Sequence, residues 1–311
     1  MKVLVTDGIA EEAVKLLEEA GHEVTLDEAS PEGLLEIIGE YDALIVRSRT
    51  KVRKEALDLA HELKVIGRAG IGVDNIDIQY AKEKGIKVVN APRGSTLSVA
   101  ELALGHMLSL ARGIAAGTRG IREGKWLKKQ LKGMELAGKT VGIIGCGRIG
   151  QALAERCKAF GMRTIGFDPY LPKEVADKVG IELVDLEELY RTSDFISLHV
   201  ALTDETRHMV SREQFEMMKD TAYIVNCARG GVIDEDALYL ALKEGIIGGA
   251  GLDVFETEPP GETKLAEFDN VTFTPHIGAN TKDAQLKAGT MVAEQVIIAL
   301  RGEEPTNWVN R

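Results

Sequence analysis

At 311 residues the chain is long enough for two domains with sizeable buried cores. It is 44% hydrophobic and carries a net charge of -11, and no apolar run reaches the ~18 residues of a membrane span, so no nucleic acid and no membrane is expected as a partner. Three cysteines without C-x-x-C spacing speak against a disulfide framework or a zinc site and suit a reducing cytoplasm.

The N-terminal "MKVLVTDGIAEEAVKLL" reads as a strand and a helix, with early acidic residues and no cleavage site, so it is not a signal peptide. β-Branched runs then alternate with helical patterns. The runs 2–7, 22–27, 43–48, 64–69 and 86–91 read as strands, and 9–21 as a helix stopped by Gly21. Such alternation predicts a parallel sheet covered by helices on both faces. A long helix follows over Ser95 to Leu110. Ser95 or Ser98 is its candidate cap, Ser98 having Glu101 three residues on. The polar, basic stretch Arg112 to Gly138 reads as a surface excursion. A second strand series starts at 140–145 and continues at 163–168, 195–200, 222–227, 248–254 and 270–275. An amphipathic helix, 283–302, trails it and is expected to cross back to the first domain.

"VGIIGCGRIGQAL" contains G-x-G-x-x-G at Gly145, Gly147 and Gly150. The pattern alone is weak in a chain with 33 glycines, but here it follows a strand and opens a helix expected over Ile149–Phe160. Gly145 permits the tight turn, Gly147 lets backbone approach a pyrophosphate, and Gly150 lets helix and strand pack closely. The helix N-terminus adds free N–H groups for the phosphates. Asp168 lies 18 residues after Gly150, where an acid binds the ribose 2′-hydroxyl and repels a 2′-phosphate. The expected cofactor is therefore NAD; the bland alternative is a glycine-rich turn beside a solvated aspartate. The fold expected is α/β: two doubly wound domains, a flavodoxin-like substrate domain (1–95 plus 283–311) and a Rossmann NAD-binding domain (96–282), with a cleft between them.

Three further segments close strands of the second series: "VNCARGGVID" with Arg229, "LDVFETEPP" with Asp253, Glu256 and Glu258, and "TFTPHIGA" with His276. C-terminal strand edges face the ligand crevice in such a fold, so these side chains can converge. Reduction of a 2-keto acid needs a proton at the new alkoxide, which histidine supplies near neutral pH. A carboxylate such as Glu258 would favour the imidazolium and fix the ring. Arginine such as Arg229 can grip a carboxylate through two parallel hydrogen bonds. Each residue also has a plainer reading: His276 as a capped loop residue, Arg229 as a partner of carbonyls, Glu258 as a solvated side chain. A metal centre is not expected, since His199 and His208 come without a cluster of ligand spacing.

The segments 67–77, 90–101, 138–150, 198–209, 226–238, 251–260 and 274–281 together resemble the D-isomer-specific 2-hydroxyacid dehydrogenase family over almost the whole chain. The resemblance implies a catalytic trio of Arg229, Glu258 and His276, with the histidine as proton donor. It implies cofactor contacts from Gly145, Gly147, Arg148, Ile149, Gly150, Asp168, His199, Val200, Thr203, Cys227, Ala228, Asp253, Gly278 and Ala279. One departure is Ala201, where a proline is common; it changes loop rigidity and removes no donor. Segments 46–52 and 67–77 are similar to the branch that acts on a phosphorylated 2-hydroxy acid, whose second anionic group needs its own cations. Arg47, Arg49, Lys51, Arg68, Lys128 and Lys129 are candidates, each with the alternative of a solvated charge. Arg47 and Arg68 are favoured because each closes a strand, with Ile71, Gly72 and Lys128 as further substrate contacts. The alternatives are a dehydrogenase for a non-phosphorylated acid such as glyoxylate or hydroxypyruvate, and a dinucleotide-sensing corepressor. The chain ends at Arg311, from which a form without a C-terminal regulatory domain is expected. The 95–138 region is similar to the family's dimerisation arm, so a homodimer or tetramer is expected.

Overall fold

Aliphatic strands buried on both faces require helices above and below a sheet, and the computed structural model, which describes residues 1–311, meets that requirement twice. The chain divides into one unit of Met1–Thr96 with Ala279–Arg311 and a second of Leu97–Gly278.

The first unit runs β1 (Lys2–Val5), α1 (Glu11–Glu19), β2 (Glu23–Leu26), α2 (Pro31–Ile37), β3 (Ala43–Val46), α3 (Lys54–Leu59), β4 (Val65–Arg68), α4 (Ile78–Glu83) and β5 (Lys87–Asn90). All pairings are parallel and the strand order is β2-β1-β3-β4-β5, the flavodoxin-like winding. Period-two alternation splits the strand side chains between two cores. Leu4, Leu44, Val46, Ile66 and Val88 face one side; Val3, Val5, Ala43, Ile45, Val65 and Val89 face the other. Polar caps start the helices: Ser30 accepts the Gly33 N–H ahead of Pro31 in α2, and Asp77 accepts the Tyr80 N–H in α4.

The second unit opens with α5 (Thr96–Arg112) and α6 (Ile114–Arg122), separated by Gly113 at φ +60°. It continues through β6 (Thr140–Ile144), α7 (Arg148–Ala159), β7 (Arg163–Phe167), α8 (Lys173–Val179), β8 (Glu182–Leu183), α9 (Leu186–Thr192), β9 (Phe195–Leu198), α10 (Arg212–Met217), β10 (Tyr223–Asn226), α11 (Glu235–Lys243), β11 (Gly249–Leu252) and β12 (Val271–Phe273). The seven strands are parallel in the order β12-β11-β10-β9-β6-β7-β8. This is the Rossmann winding with one added edge strand. β6 pairs with both β7 and β9, so the winding reverses at its C-terminal end. The last helix, α12 (Lys282–Leu300), belongs to the first unit, where it packs on α1, β3, β4 and β5.

Two local expectations change, and one strand is new. Helix α5 begins at Thr96, so Ser98 lies in its first turn and is not its cap. The basic excursion after Arg112 contains the nine-residue helix α6. The two-residue strand β8 is too short to show an alternating pattern. No single helix is long and apolar enough to cross a membrane.

Phe195 is fully buried and stacks on Tyr223, with ring centroids 5.3 Å apart. Phe195→Ala is expected to cost about 3–5 kcal/mol through the cavity it leaves. Urea unfolding followed by far-UV circular dichroism checks this; a midpoint within error of the parent would contradict it.

Candidate active site

The glycine loop sits at the reversal of the winding. Gly145 has φ +90°, which a side chain would strain, and a Cβ there would stand 2.7 Å from the His199 carbonyl oxygen. A Cβ on Gly150 would stand 2.4 Å from the Gly145 carbonyl oxygen, so helix and loop touch through backbone. Gly147 is different: nothing lies within 4 Å of where its Cβ would be, and it precedes α7 without any side chain capping the helix. An open glycine before uncapped N–H groups is a cradle for a pyrophosphate. Asp168 closes the neighbouring strand. Its carboxylate accepts the Cys146 N–H at 2.9 Å and the Tyr170 N–H at 2.9 Å, which fixes it beside the loop. Burial, helped by the Asp168 charge, pushes the Cys146 thiol up to about 12. These residues fit a dinucleotide with a free ribose diol, and a 2′-phosphate would meet the Asp168 carboxylate.

The remaining cofactor candidates lie on the same unit with different parts. Arg148 and Ile149 begin α7. His199 and Val200 follow β9; desolvation pushes the His199 imidazole down to about 4, and its Nε2 meets Ser197 Oγ at 2.9 Å. Thr203 is exposed in a turn closed by the Thr206 hydroxyl, which donates to the Ala201 carbonyl at 2.6 Å. Cys227 and Ala228 are buried, and burial raises the Cys227 thiol far above its ordinary range, which leaves it inert. Asp253 follows β11. It is 1% exposed, and its carboxylate accepts Thr274 Oγ1–H at 2.6 Å, the Ile277 N–H at 2.8 Å and the Gly278 N–H at 2.8 Å. The carboxylate holds the turn after β12. Gly278 lies against it and Ala279 follows.

That turn carries His276. Its backbone is left-handed, φ +50°, which is rare for a residue with a side chain. The conformation is held by its N–H, which donates to the Asp253 carbonyl at 2.8 Å. His276 Nδ1 lies 2.7 Å from Glu258 Oε2, and the Phe255 N–H donates to Glu258 Oε1 at 3.1 Å. Burial, the largest influence, raises the Glu258 carboxyl. The His276 hydrogen bond and charge, the Phe255 N–H and the Arg229 guanidinium outweigh it and hold the group below its ordinary range. Arg229 is brought close by glycine: a Cβ on Gly230 would stand 1.8 Å from the Phe255 carbonyl oxygen. Asn226, 2% exposed, clamps this loop by donating to the Arg229 carbonyl and accepting the Ala228 N–H.

A second histidine–carboxylate pair exists. His208 Nε2 lies 3.1 Å from Glu256 Oε1, beside a recess of about 320 Å³ whose walls include Asp234, Glu235, Asp236 and Glu262. That acidic wall repels an organic acid, whereas the His276 pair has Arg229 for company. No group of three or more His, Cys, Asp or Glu side chains is arranged to hold a metal ion.

The anion candidates divide by what already holds them. Arg49 is occupied: it pairs with Asp7 at 3.2 Å and donates to the Thr6 and Glu28 carbonyls. Arg47 follows β3 and its N–H donates to Asp7 at 2.7 Å, but its guanidinium has no hydrogen bond within the protein. Arg68 ends β4 with its guanidinium lying on Gly70, where no Cβ would fit. Ile71 offers its carbonyl to Asn90, and Gly72 is half-buried. Lys128 lines a shallow recess with Ile121, Trp126 and Leu131. His106, which the sequence reading passed over, is buried between Thr272 and Thr274. Its helix shows an apolar face, and nothing local marks the residue.

Residues 104–278 match the family described as D-isomer specific 2-hydroxyacid dehydrogenase, NAD binding domain. The chain is 57% identical over its full length to D-3-phosphoglycerate dehydrogenase of Methanocaldococcus jannaschii, of which it covers 59%. It is 52% identical to hydroxypyruvate reductase of Thermotoga maritima over 95% of this chain and 97% of that one. Among solved structures, D-lactate dehydrogenase from Aquifex aeolicus, complexed with NAD and lactic acid, is 30% identical with a TM-score of 0.87, covering 100% of this chain and 99% of that one. The chain thus spans about six-tenths of that phosphoglycerate dehydrogenase. On these grounds the chain belongs to the D-isomer-specific 2-hydroxyacid dehydrogenase family.

Proposed function

We propose that the chain acts as an NAD-dependent D-3-phosphoglycerate dehydrogenase, oxidising 3-phospho-D-glycerate to 3-phosphohydroxypyruvate, the first step of serine biosynthesis. The observation that carries the chemistry is the His276–Glu258 pair with Arg229 beside it. Bound NAD supplies a hydride acceptor at the substrate C2 and, in reverse, a hydride donor. Everything else falls to the chain. His276 Nδ1 is engaged by Glu258, so Nε2 is the nitrogen left to take the hydroxyl proton during oxidation or return it during reduction. Arg229 holds the substrate carboxylate and draws electron density from the adjacent carbonyl. Arg47 and Arg68 receive the second anionic group, Arg47 with a guanidinium that no protein acceptor occupies.

The 52% identity to a hydroxypyruvate reductase over nearly all of its length favours a second reading, reduction of a non-phosphorylated 2-keto acid such as hydroxypyruvate or glyoxylate. The two readings share the trio and differ at the far end of the acid. We further propose a cytoplasmic homodimer or tetramer. Three free, buried cysteines support the compartment, and the exposed Ile114, Ile121 and Trp126 support association.

His276→Ala should abolish turnover with NAD affinity retained within about twofold, because the glycine loop and Asp168 are untouched; calorimetric titration with NADH alongside steady-state assays measures both. Glu258→Gln should lower kcat for keto-acid reduction about tenfold, since a neutral amide holds the His276 ring less firmly than the carboxylate does. An unchanged kcat would remove Glu258 from the account. The Glu258 carboxyl is depressed in the folded chain, so its pairing stabilises above the ordinary carboxylate range and is lost as pH falls through the folded value. Finally, Arg47→Ala should lower kcat/KM for phosphoglycerate about 10- to 100-fold while leaving D-glycerate nearly unchanged. Equal efficiency of the parent on both acids would favour the second reading.

A further inference from the structure

Beneath the His276 turn lies a buried file of polar side chains drawn from three elements. His106 comes from the middle of α5 and is 4% exposed. Its Nδ1 lies 2.7 Å from Thr272 Oγ1 and its Nε2 lies 3.0 Å from Thr274 Oγ1. Thr274 Oγ1 in turn donates to Asp253, whose other acceptor contacts are the Ile277 and Gly278 N–H groups. The imidazole has a built seat. A Cβ on Gly251, the β11 residue in register with Thr272, would stand 2.8 Å from His106 Cβ and 3.1 Å from its Nδ1. Glycine in a buried strand gives up side-chain packing and weakens the strand, so a close approach accounts for it here.

Proton counting orders the file. The Thr274 hydroxyl has one proton, and it goes to Asp253. Thr274 Oγ1 must then accept from His106, so Nε2 carries the hydrogen. Burial disfavours the charged ring, an effect that Asp253 opposes more weakly. In the neutral ring Nδ1 is an acceptor and takes the Thr272 proton. Every hydrogen bond therefore points toward the Asp253 carboxylate: Thr272 to His106, His106 to Thr274, Thr274 to Asp253. Bonds aligned head to tail polarise one another.

We propose that His106 is a positioning residue for the proton donor: as the Nε2–H tautomer it locks the Thr274 hydroxyl onto Asp253 and so holds the left-handed turn that presents His276. The role rests on the dehydrogenase reading above, in which His276 moves the proton. Loss of the file lets the turn relax, which slows proton and hydride transfer without touching the glycine loop.

The test uses full-length protein with ¹⁵N-labelled histidine and three variants. His106→Leu keeps volume and removes both hydrogen bonds. His106→Gln keeps a donor near the Nε2 position. Thr274→Val is close in shape, removes the hydroxyl and guards against misfolding of the leucine variant. The parent should show a neutral Nε2–H signal for His106. In His106→Leu and Thr274→Val the His276 ring resonances should move, and the single-turnover rate of keto-acid reduction should fall roughly three- to tenfold. NADH affinity should stay within about twofold. The glutamine variant should recover most of the rate, and the Leu–Val double variant should be no slower than either single one, because both break the same link. An Nδ1–H tautomer, an unmoved His276 resonance, or a turnover rate within twofold of the parent in both single variants overturns the proposal. If the parent reduces no 2-keto acid at all, the dehydrogenase reading fails, while the tautomer and resonance measurements still decide whether His106 holds the turn.

Discussion

The Asp253 carboxylate is the interaction on which the catalytic end of the second unit depends. A buried carboxylate is costly unless its oxygens are hydrogen-bonded, and here two backbone N–H groups and a threonine hydroxyl serve them. Those donors belong to the segment just after β12. Satisfying the charge therefore winds that segment into one conformation, with His276 at a left-handed backbone angle. The strain of that angle is tolerated because the surrounding hydrogen bonds over-determine it. His276 is thus presented by a turn wrapped on a buried charge.

The rest of the site follows from close backbone approach. Glycines at 145, 150 and 230 stand where a Cβ would collide with a carbonyl carbon or oxygen. They bring the loop after β6 against the end of β9, the start of α7 against that loop, and the Arg229 loop against Phe255. Glu258 links the last contact to the histidine: Phe255 orients one carboxylate oxygen and His276 takes the other. The His276 hydrogen bond and charge, with smaller help from the Phe255 N–H and Arg229, hold Glu258 ionised despite its burial. A cation, an anion and an imidazole in one place suit an organic acid whose hydroxyl must lose a proton. The pair at His208 has the imidazole and the anion but lies among further carboxylates. The difference in neighbouring charge separates two otherwise similar pairs.

Much of this was legible before folding, for physical reasons that can be named. Strands such as 43–46 and 195–198 are continuous buried runs, and such runs stand out in any reading. Their ends are less legible: the strands stop at Val46 and Leu198, and nothing in the residue types of 47–48 or 199–200 marks where the backbone leaves the sheet. Helix α6 was read as an irregular excursion because it holds two glycines and two arginines in nine residues. Ser98 had the spacing of a cap and lies inside α5. Arg229, Glu258 and His276 stand out in the sequence because each lies beyond a strand and each has chemistry to offer. The type and place of Asp253 suggest a ligand contact, whereas the donors it serves in the turn lie 21, 24 and 25 residues away. His106 left no trace, since its partners lie 166 and 168 residues away.

The amino-acid sequence by itself determined the parallel sheets, the dinucleotide loop and the chemical types of the side chains gathered around His276. Those rest on local rules: period-two burial, glycine where backbone must turn or touch, and acid–base type. Tertiary structure alone decided which groups are spoken for. The Arg49 guanidinium is held by Asp7 and backbone carbonyls while that of Arg47 is not, Asp253 faces inward, and His106 is seated on Gly251. Hydrogen-bond satisfaction is settled by distance and direction in space, and residues far apart in the chain share no local pattern that could announce it.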